Sequence, residues 1–198
     1  MKTVFCYALS LLLCVCLLSA LPLEGESAIY DEVLRLHVLA ASDSEEDQAD
    51  KLAVRDAILA EYGEILAKTD LDSAAETVNA HLSDIESLAR KTLLSRGTDA
   101  PVTVSFSDEE YPARSYGSLT FPAGTYRSLR VVIGAGAGQN WWCVLFPPMC
   151  VGAASGEVAI IDPEEKPGAI SDSAWRIVSR SGEYELRFRF LELLSGIK

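Results

Sequence analysis

The 198-residue chain has little positive charge, few cysteines and only two histidines. Its 17 basic residues stand against 29 acidic ones, which gives a formal net charge of -12. Such a chain is repelled by nucleic-acid phosphates and by anionic lipid, so nucleic acid is not an expected partner unless the basic residues cluster on one face. His37 and His81 lack the close pairing with cysteine that a zinc site needs. We therefore expect no metal site.

A long apolar run occupies the N-terminus, where Lys2 is the only charged residue before Glu24. A basic start, an apolar core and the small residues Ser19 and Ala20 are typical of a secretory signal peptide. The alternatives are an uncleaved membrane anchor, since the run lies at the lower edge of the ~18–20 residues that span a bilayer, and a buried core helix. We predict a signal peptide or membrane anchor over 1–28, and a single extracytoplasmic α+β domain over 29–198.

Export changes the meaning of the five cysteines. Three of them lie in the leader, which leaves Cys143 and Cys150 in the body. Outside the cytoplasm, two cysteines with six residues between them can close a disulfide loop, which stabilises a fold by about 2–3 kcal/mol. The alternative is a pair of buried thiols, because spacing alone does not fix disulfide geometry.

The pattern of the body predicts an α+β fold, with an N-terminal strand and two helices packed on a mostly antiparallel sheet. In the first strand, Arg35 and His37 alternate with apolar residues and are expected on the opposite face. Leu52, Leu59 and Leu66 recur every seven residues and predict the buried stripe of the first helix. The predicted elements are a strand over 33–40, helices over 45–68 and 71–95, a strand over 102–106, a hairpin over 116–126 with its turn at 122–124, strands over 128–134 and 141–146, a loop over 152–181 and a strand over 184–190.

Two further motifs favour structural explanations over ligand binding. The glycine run over 134–138 lacks the third glycine of a dinucleotide fingerprint and leads into a predicted strand, where the fingerprint needs a helix. We interpret it as a flexible loop or as a loop that contacts a partner protein. The acidic run over 43–50 lacks the glycine of an EF-hand loop and suits the first turn of a helix.

Two adjacent tryptophans are the most informative pair in the sequence. On a strand their rings point to opposite faces, so one can fill the core while the other lies near the surface or under a covering segment. Tryptophan and arginine are enriched in binding hot spots, and neighbouring residues of the hairpin and the glycine loop are candidates of the same kind. The candidate partner-binding residues are Arg114, Tyr116, Tyr126, Gly136, Gly138, Trp141 and Trp142.

A thiol enzyme is the competing interpretation. Cys143 with His37 or His81 would form a thiol–imidazole pair of the kind that secreted cysteine hydrolases use. The sequence does not place either histidine near this cysteine, and Cys150 offers Cys143 a disulfide partner.

Several strings of the sequence together resemble the stage II sporulation protein R family. They are LRLHVLAASDS (34–44), KLAVRDA (51–57), YPARSYG (111–117), FPAGTY (121–126), LRVVIG (129–134) and NWWCVLFPPMC (140–150). The family pattern usually has asparagine where Ala41 stands and a more polar loop than Ala135 and Ala137 supply. The tail after Cys150 resembles the family only loosely.

The resemblance implies a signalling ligand without catalytic residues or a cofactor. Proteins of this family are exported from the forespore of endospore-forming bacteria into the space between the two membranes. There they activate a membrane-embedded aspartic protease of the mother cell, which then cleaves the precursor of a sigma factor. On this interpretation the segments 114–126 and 136–142 form the surface that faces the protease, and the N-terminal segment makes the only membrane contact.

Overall fold

The computed structural model describes residues 6–7, 9–10, 26–66, 68–116, 119–147, 149 and 166–179. Within these ranges, helices and a mostly antiparallel sheet form the α+β fold that the sequence predicts. The elements are α1 (Glu26–Glu32), β1 (Leu34–Leu39), α2 (Glu45–Leu66), α3 (Leu71–Ala80), α4 (Leu82–Ser95), β2 (Val102–Tyr111), β3 (Arg114–Tyr116), β4 (Leu119–Phe121), β5 (Gly124–Ile133), β6 (Asn140–Phe146) and α5 (Asp172–Ser179).

The central sheet has four strands in the order β2-β5-β1-β6. β1 runs parallel to β5, whereas the β2–β5 and β1–β6 pairs are antiparallel. β1 therefore has a neighbour on each side, and all six of its residues are buried. The short strands β3 and β4 pair with each other in a separate two-stranded sheet.

The alternation in β1 divides the sheet into two faces, as predicted. Leu34, Leu36 and Val38 point to a first face, where they join an apolar cluster with side chains of α2, α3 and α4. Arg35 and His37 point to a second face, because successive residues of a strand alternate. That face packs against α1, α5 and the β3–β4 pair through a second cluster that is rich in aromatic rings.

Helix α2 starts at Glu45 as predicted and ends at Leu66, and its buried stripe matches the predicted one only in part, at Leu66. Leu52 and Leu59 are only half-buried, and of the two Leu59 packs against the first cluster. The buried residues of the helix are Asp50, Lys51, Val54, Arg55, Ile58, Tyr62 and Leu66. They recur mainly every four residues. A seven-residue repeat drifts around a straight helix of 3.6 residues per turn, and this explains why it meets the buried face at Leu66 but not at Leu52 and Leu59.

The second predicted helix is wrong as a single element, because the chain breaks at His81 into α3 and α4. The His81 ring bonds to the Thr77 carbonyl through Nδ1 at 2.8 Å, and its backbone has φ -109° and ψ 19°. The start and the end are as predicted. The Asp70 side chain accepts a hydrogen bond from the Ser73 backbone at 2.9 Å, and Gly97, with φ 89°, follows the last turn.

The predicted hairpin also has different partners. β4 pairs with the preceding strand β3, so that Arg114 lies opposite Phe121. After the turn at 122–124 the chain continues into β5, which lies between β2 and β1 in the central sheet. The bend is held at two points, where the Tyr30 hydroxyl donates to the Ala123 carbonyl at 2.9 Å and the Tyr126 hydroxyl donates to the Pro122 carbonyl at 2.7 Å. Long-range pairing therefore overrides the local turn signal.

The chain termini are described only in part. The segment predicted as a loop over 152–181 contains α5. Just before this helix, the Ser171 backbone N–H donates a hydrogen bond of 2.7 Å to Glu32 of α1. The predicted strand over 184–190 and most of the predicted leader lie outside the described residues. In the part of the chain that is described, no helix has the length and apolar character that crossing a membrane requires.

Candidate functional site

The two tryptophans of β6 point to opposite faces of the sheet, as the sequence predicts. Trp141 packs on the first face, with the Arg55 guanidinium 4.2 Å above its ring. Trp142 lies on the second face, stacked on His37 with ring centroids 3.7 Å apart, and Arg114 lies 5.8 Å from its ring. Both rings are half-buried. One core ring and one surface ring were expected. Instead both rings are half-buried and each lies beside an arginine.

A polar chain runs beneath Trp142. His37 Nδ1 lies 2.8 Å from a carboxylate oxygen of Glu109, and the other oxygen of Glu109 accepts a hydrogen bond from Ser128 at 3.0 Å. The Ser128 hydroxyl in turn lies 2.6 Å from the Tyr111 hydroxyl. The Glu109 carboxylate lies between His37 and Ser128, so the Ser128 hydroxyl does not contact the imidazole. A serine nucleophile would need the imidazole between the hydroxyl and the acid.

Burial shifts the pKa values of His37 and Tyr111 in this hydrogen-bonded network. It lowers the pKa of His37 below its ordinary value of 6.5, while Glu109 acts in the opposite direction. A neutral imidazole donates its Nδ1 proton to Glu109, and Nε2 then remains as a buried acceptor without a partner among the described residues. Burial also raises the pKa of Tyr111, so that its hydroxyl stays protonated.

Arg35 occupies a box of aromatic rings on the second face. Its guanidinium is fully buried, with the ring of Tyr111 at 4.5 Å and three further rings within 5.8 Å. One nitrogen donates to the Tyr116 hydroxyl at 3.0 Å, and this hydroxyl donates to the Trp142 carbonyl at 2.9 Å. Nε and Nη1 have no hydrogen-bond partner among the described residues. Arg35 thus links β1 to β3 and to β6.

Sequence reasoning placed Arg35 on the correct face but not in a functional role. The signal was available in part, because an arginine inside an apolar strand must be paired or solvated, and four aromatic residues cluster between 111 and 126. The partner rings come from β2, the β3–β4 pair and β5, which only the tertiary fold brings together.

The candidate residues of the hairpin differ in accessibility. Arg114 is exposed and Tyr116 is half-buried, whereas Tyr126 is buried in the second cluster. Arg114 and Tyr116 flank Trp142 from the same short strand. Tyr126 supports this strand from below, since its ring lines the box around Arg35.

The glycine loop is held in place by the segment that follows β1. Gly138 donates its backbone N–H to the Ala40 carbonyl at 3.0 Å, and the Gln139 backbone donates to Asp43 at 2.7 Å. A side chain on Gly138 would overlap the Ser42 carbonyl, and Gly136 has φ 62° with the Val132 side chain close by. These glycines permit a close approach of two backbone segments. These contacts hold the loop against the segment that follows β1, and the loop leads into β6 as predicted.

Lys51 ties the start of α2 to the same loop. Its buried ammonium donates to the Gln48 side chain at 2.5 Å and to the Gln139 carbonyl at 3.0 Å. Burial lowers the pKa of Lys51. The ammonium therefore fixes the loop through neutral oxygen acceptors.

Three aspartates of the acidic run over 43–50 accept hydrogen bonds from other residues of the fold. Asp43 accepts from the glycine loop, Asp47 accepts from the Ser42 hydroxyl, and Asp50 accepts from Arg96 and Thr98, both at 2.5 Å. Across the described ranges, no group of three or more metal-ligating side chains forms a metal site.

The thiol–imidazole pair is not assembled. Cys143 lies opposite Leu36 in the sheet and His37 lies opposite Trp142, so the cysteine and the histidine point to opposite faces. His81 lies at the junction of α3 and α4, where its ring contacts Tyr62. Cys150 is outside the described residues, so its pairing with the buried Cys143 stays a prediction.

Comparison with known proteins places the described sheet within one family. A family model for stage II sporulation protein R matches residues 30–155, which include all six described strands. The stage II sporulation protein R of Bacillus subtilis (strain 168) is 35% identical over 139 residues. This match covers 70% of the present chain and 62% of the relative, so the chain spans less than two thirds of the relative's length. No solved structure matches the chain.

Proposed function

Because this chain belongs to the stage II sporulation protein R family, we propose that it is an exported signalling protein of endospore formation. It acts in the space between forespore and mother cell and activates a membrane-embedded aspartic protease. The activated protease then processes the precursor of the mother-cell sigma factor. On this proposal the chain is a ligand and carries no catalytic step of its own.

The observation that best supports a binding role is the stack of Arg114, Trp142 and His37. An exposed arginine lies beside a half-buried tryptophan, and the tryptophan rests on a buried imidazole 3.7 Å away. Tryptophan and arginine dominate binding hot spots because they bring large contact areas and directed hydrogen bonds. The buried network below fixes the ring, so little side-chain entropy is lost when a partner binds.

Activation sets a thermodynamic requirement on this surface. A ligand shifts a protease between inactive and active states only if it binds the active state more tightly. The contacts of Arg114 and Trp142 must therefore be stronger with the active protease than with the inactive one. Equal affinity for both states would shift nothing.

The secreted thiol hydrolase remains the weaker proposal. Cys143 and His37 lie on opposite faces of the sheet, which separates the nucleophile from its base. A role in covalent structure suits Cys143 better, since it is buried in the strand that carries Trp142. We propose that Cys143 and Cys150 form a disulfide and that residues 1–28 direct export or anchor the chain in the forespore membrane.

Co-expression tests the proposed function. The full chain is produced in a host without other sporulation proteins, together with the protease and the sigma factor precursor, and processing is followed by immunoblot. We expect processing with the exported chain, and none when residues 2–28 are deleted to keep the chain in the cytoplasm. Absence of processing with correctly exported protein would overturn the proposal.

A matched pair of substitutions tests the thiol alternative in the same host. Cys143→Ser is expected to reduce processing only as far as it reduces the amount of folded exported protein. Cys150→Ser should then have the same effect, because both remove one disulfide. A complete loss of processing with Cys143→Ser at an undiminished level of folded protein, without loss in Cys150→Ser, would favour the thiol enzyme.

A further inference from the structure

Among the described residues, two arginines on the second face lack a hydrogen-bonded carboxylate partner. Arg114 is exposed and forms no ion pair with the described carboxylates, and its guanidinium lies 5.8 Å from the Trp142 ring. Arg130 is 44% exposed, and its Nε lies 3.7 Å from Glu109, beyond hydrogen-bonding distance. This is unexpected in a chain in which acidic residues outnumber basic ones by 29 to 17.

Other arginines show what pairing looks like in this fold. The Nε of Arg96 lies 2.5 Å from Asp50, and a terminal nitrogen of Arg127 lies 3.0 Å from Asp72. The two oxygens of Glu109 bond His37 and Ser128, and Glu109 contacts Arg130 only through the longer ion pair of 3.7 Å. The exposed part of the Arg130 guanidinium can therefore also bind an acceptor from outside.

The two arginines belong to one row of residues that crosses the sheet. Ser105, Arg130, His37 and Trp142 are consecutive register partners on β2, β5, β1 and β6, so their side chains share the second face. Arg114 extends the row beyond Trp142. Strands lie about 4.8 Å apart, so Arg130 and Trp142 are separated by about 10 Å.

We propose that this row binds an acidic peptide segment of the partner, with one carboxylate on Arg114 and another on Arg130. The peptide lies across the strands and covers the exposed part of Trp142. Because Arg114 lies beyond Trp142, the two carboxylates would be roughly 10–15 Å apart, which corresponds to side chains about four residues apart on the same face of an extended peptide. Arginine suits this task, because its planar guanidinium binds a carboxylate through two parallel hydrogen bonds. The inference rests on the proposed function in that the segment belongs to the activated partner.

An anionic membrane is the other source of negative charge, and the chain disfavours it. Lipid-binding surfaces carry clusters of roughly four to eight basic residues. Here two arginines stand alone on a chain whose net charge of -12 is repelled by an anionic bilayer. A short acidic peptide feels this repulsion less and gains directed contacts with both guanidiniums.

The test uses the purified full chain and defined probes. Binding of a hexaglutamate peptide is followed by tryptophan fluorescence and by calorimetry, with hexalysine and phosphatidylglycerol vesicles as alternative probes. We expect hexaglutamate to bind to the wild type. The Arg114→Glu/Arg130→Glu variant should bind it with an affinity at least roughly tenfold lower, because charge-assisted hydrogen bonds are lost. The matched control is Arg90→Glu/Lys91→Glu, two exposed residues of α4 that carry the same change of charge.

Three results would overturn the inference. They are absence of hexaglutamate binding, equal weakening in the control variant, and stronger binding to hexalysine or to the vesicles that depends on the two arginines. The single variants Arg114→Gln and Arg130→Gln keep the test decisive if the double variant melts early. Because peptide binding needs no protease, a failure of sigma factor processing with intact hexaglutamate binding would refute the proposed function alone.

Discussion

The two faces of the central sheet bury different kinds of side chain. The first face is an apolar cluster in which strand residues such as Leu36 and Val38 meet helical residues such as Ile58. The second face holds the buried Arg35 guanidinium, the buried His37 imidazole and the partly buried Glu109 carboxylate among aromatic rings. Apolar burial supplies free energy of folding, whereas buried polar groups are costly unless satisfied. The difference indicates that apolar burial on the first face supplies most of the stability, and the proposed function assigns partner binding to the second face.

The largest expected effect comes from breaking the first face. Ile58→Ala removes a fully buried side chain between α2 and the sheet. We expect the free energy of unfolding to fall by about 2–5 kcal/mol, measured by urea denaturation. Leu94→Ala, at an exposed site on α4, is the control and should change it by less than about 0.5 kcal/mol. Equal effects at the two sites would contradict the assignment of the core.

The next largest effect is expected at the glycine loop. Gly138→Ala places a methyl group against the Ser42 carbonyl, so the two backbone segments must separate. We expect a loss of about 1–3 kcal/mol, measured by thermal and urea denaturation. Gly63→Ala in α2 has open space around the added carbon and should be neutral or stabilising by up to about 1 kcal/mol. A stable Gly138→Ala variant would show that the loop is not held as described.

A smaller effect separates the second face from the first through pH. His37 is buried with its pKa below 6.5, and Glu109, Arg130 and Tyr111 face it. Its neutral form is favoured in the folded state. This contribution to stability is therefore complete above pH 6.5 and is lost as the pH falls below that value. The slope attributable to His37 should not exceed about 1.4 kcal/mol per pH unit.

The measurement for this prediction is the free energy of unfolding between pH 7.5 and about pH 5 for the wild type and for His37→Gln, since the unfolded histidine titrates near 6.5. The difference between the two curves isolates the histidine from the carboxylates that also titrate. A wild-type curve that rises toward acid pH relative to the variant would contradict the assignment.

The smallest effect on stability is expected at Arg35. Arg35→Met keeps most of the side-chain volume and removes a buried charge with two unpaired nitrogens. Replacing a buried charge with an apolar side chain is often neutral or stabilising, so we expect a change within about 1 kcal/mol. The loss should instead fall on sigma factor processing, because Tyr116 loses the donor that positions it on Trp142. A large loss of stability with normal processing would show that Arg35 is a core residue only.

Local patterns predicted the elements better than their partners. The alternation of β1, the start of α2 at Glu45 and the opposite directions of Trp141 and Trp142 follow from periodicity within a few residues. The pairing of β1 with β5 joins His37 to Arg130, more than ninety residues away in the sequence, and no local signal specifies it. For the same reason the turn at 122–124 was assigned to the wrong hairpin.

The candidate site was predictable to a similar degree. Trp142 and Arg114 were found from residue type and from the family resemblance, and the structure brings them together. The supporting residues were not found as a group, because Arg35, Glu109 and Ser128 come from three strands whose order only the fold determines. Tyr126, in contrast, was selected for its residue type and lies in the core.

The most direct test of the account is sigma factor processing by Arg114→Glu compared with Arg90→Glu. Both arginines are exposed and both substitutions change the charge equally, but only Arg114 lies beside Trp142. At equal amounts of exported protein, the account predicts that Arg114→Glu loses processing while Arg90→Glu retains it. Equal processing by the two variants would contradict the claim that the second face of the sheet carries the signal.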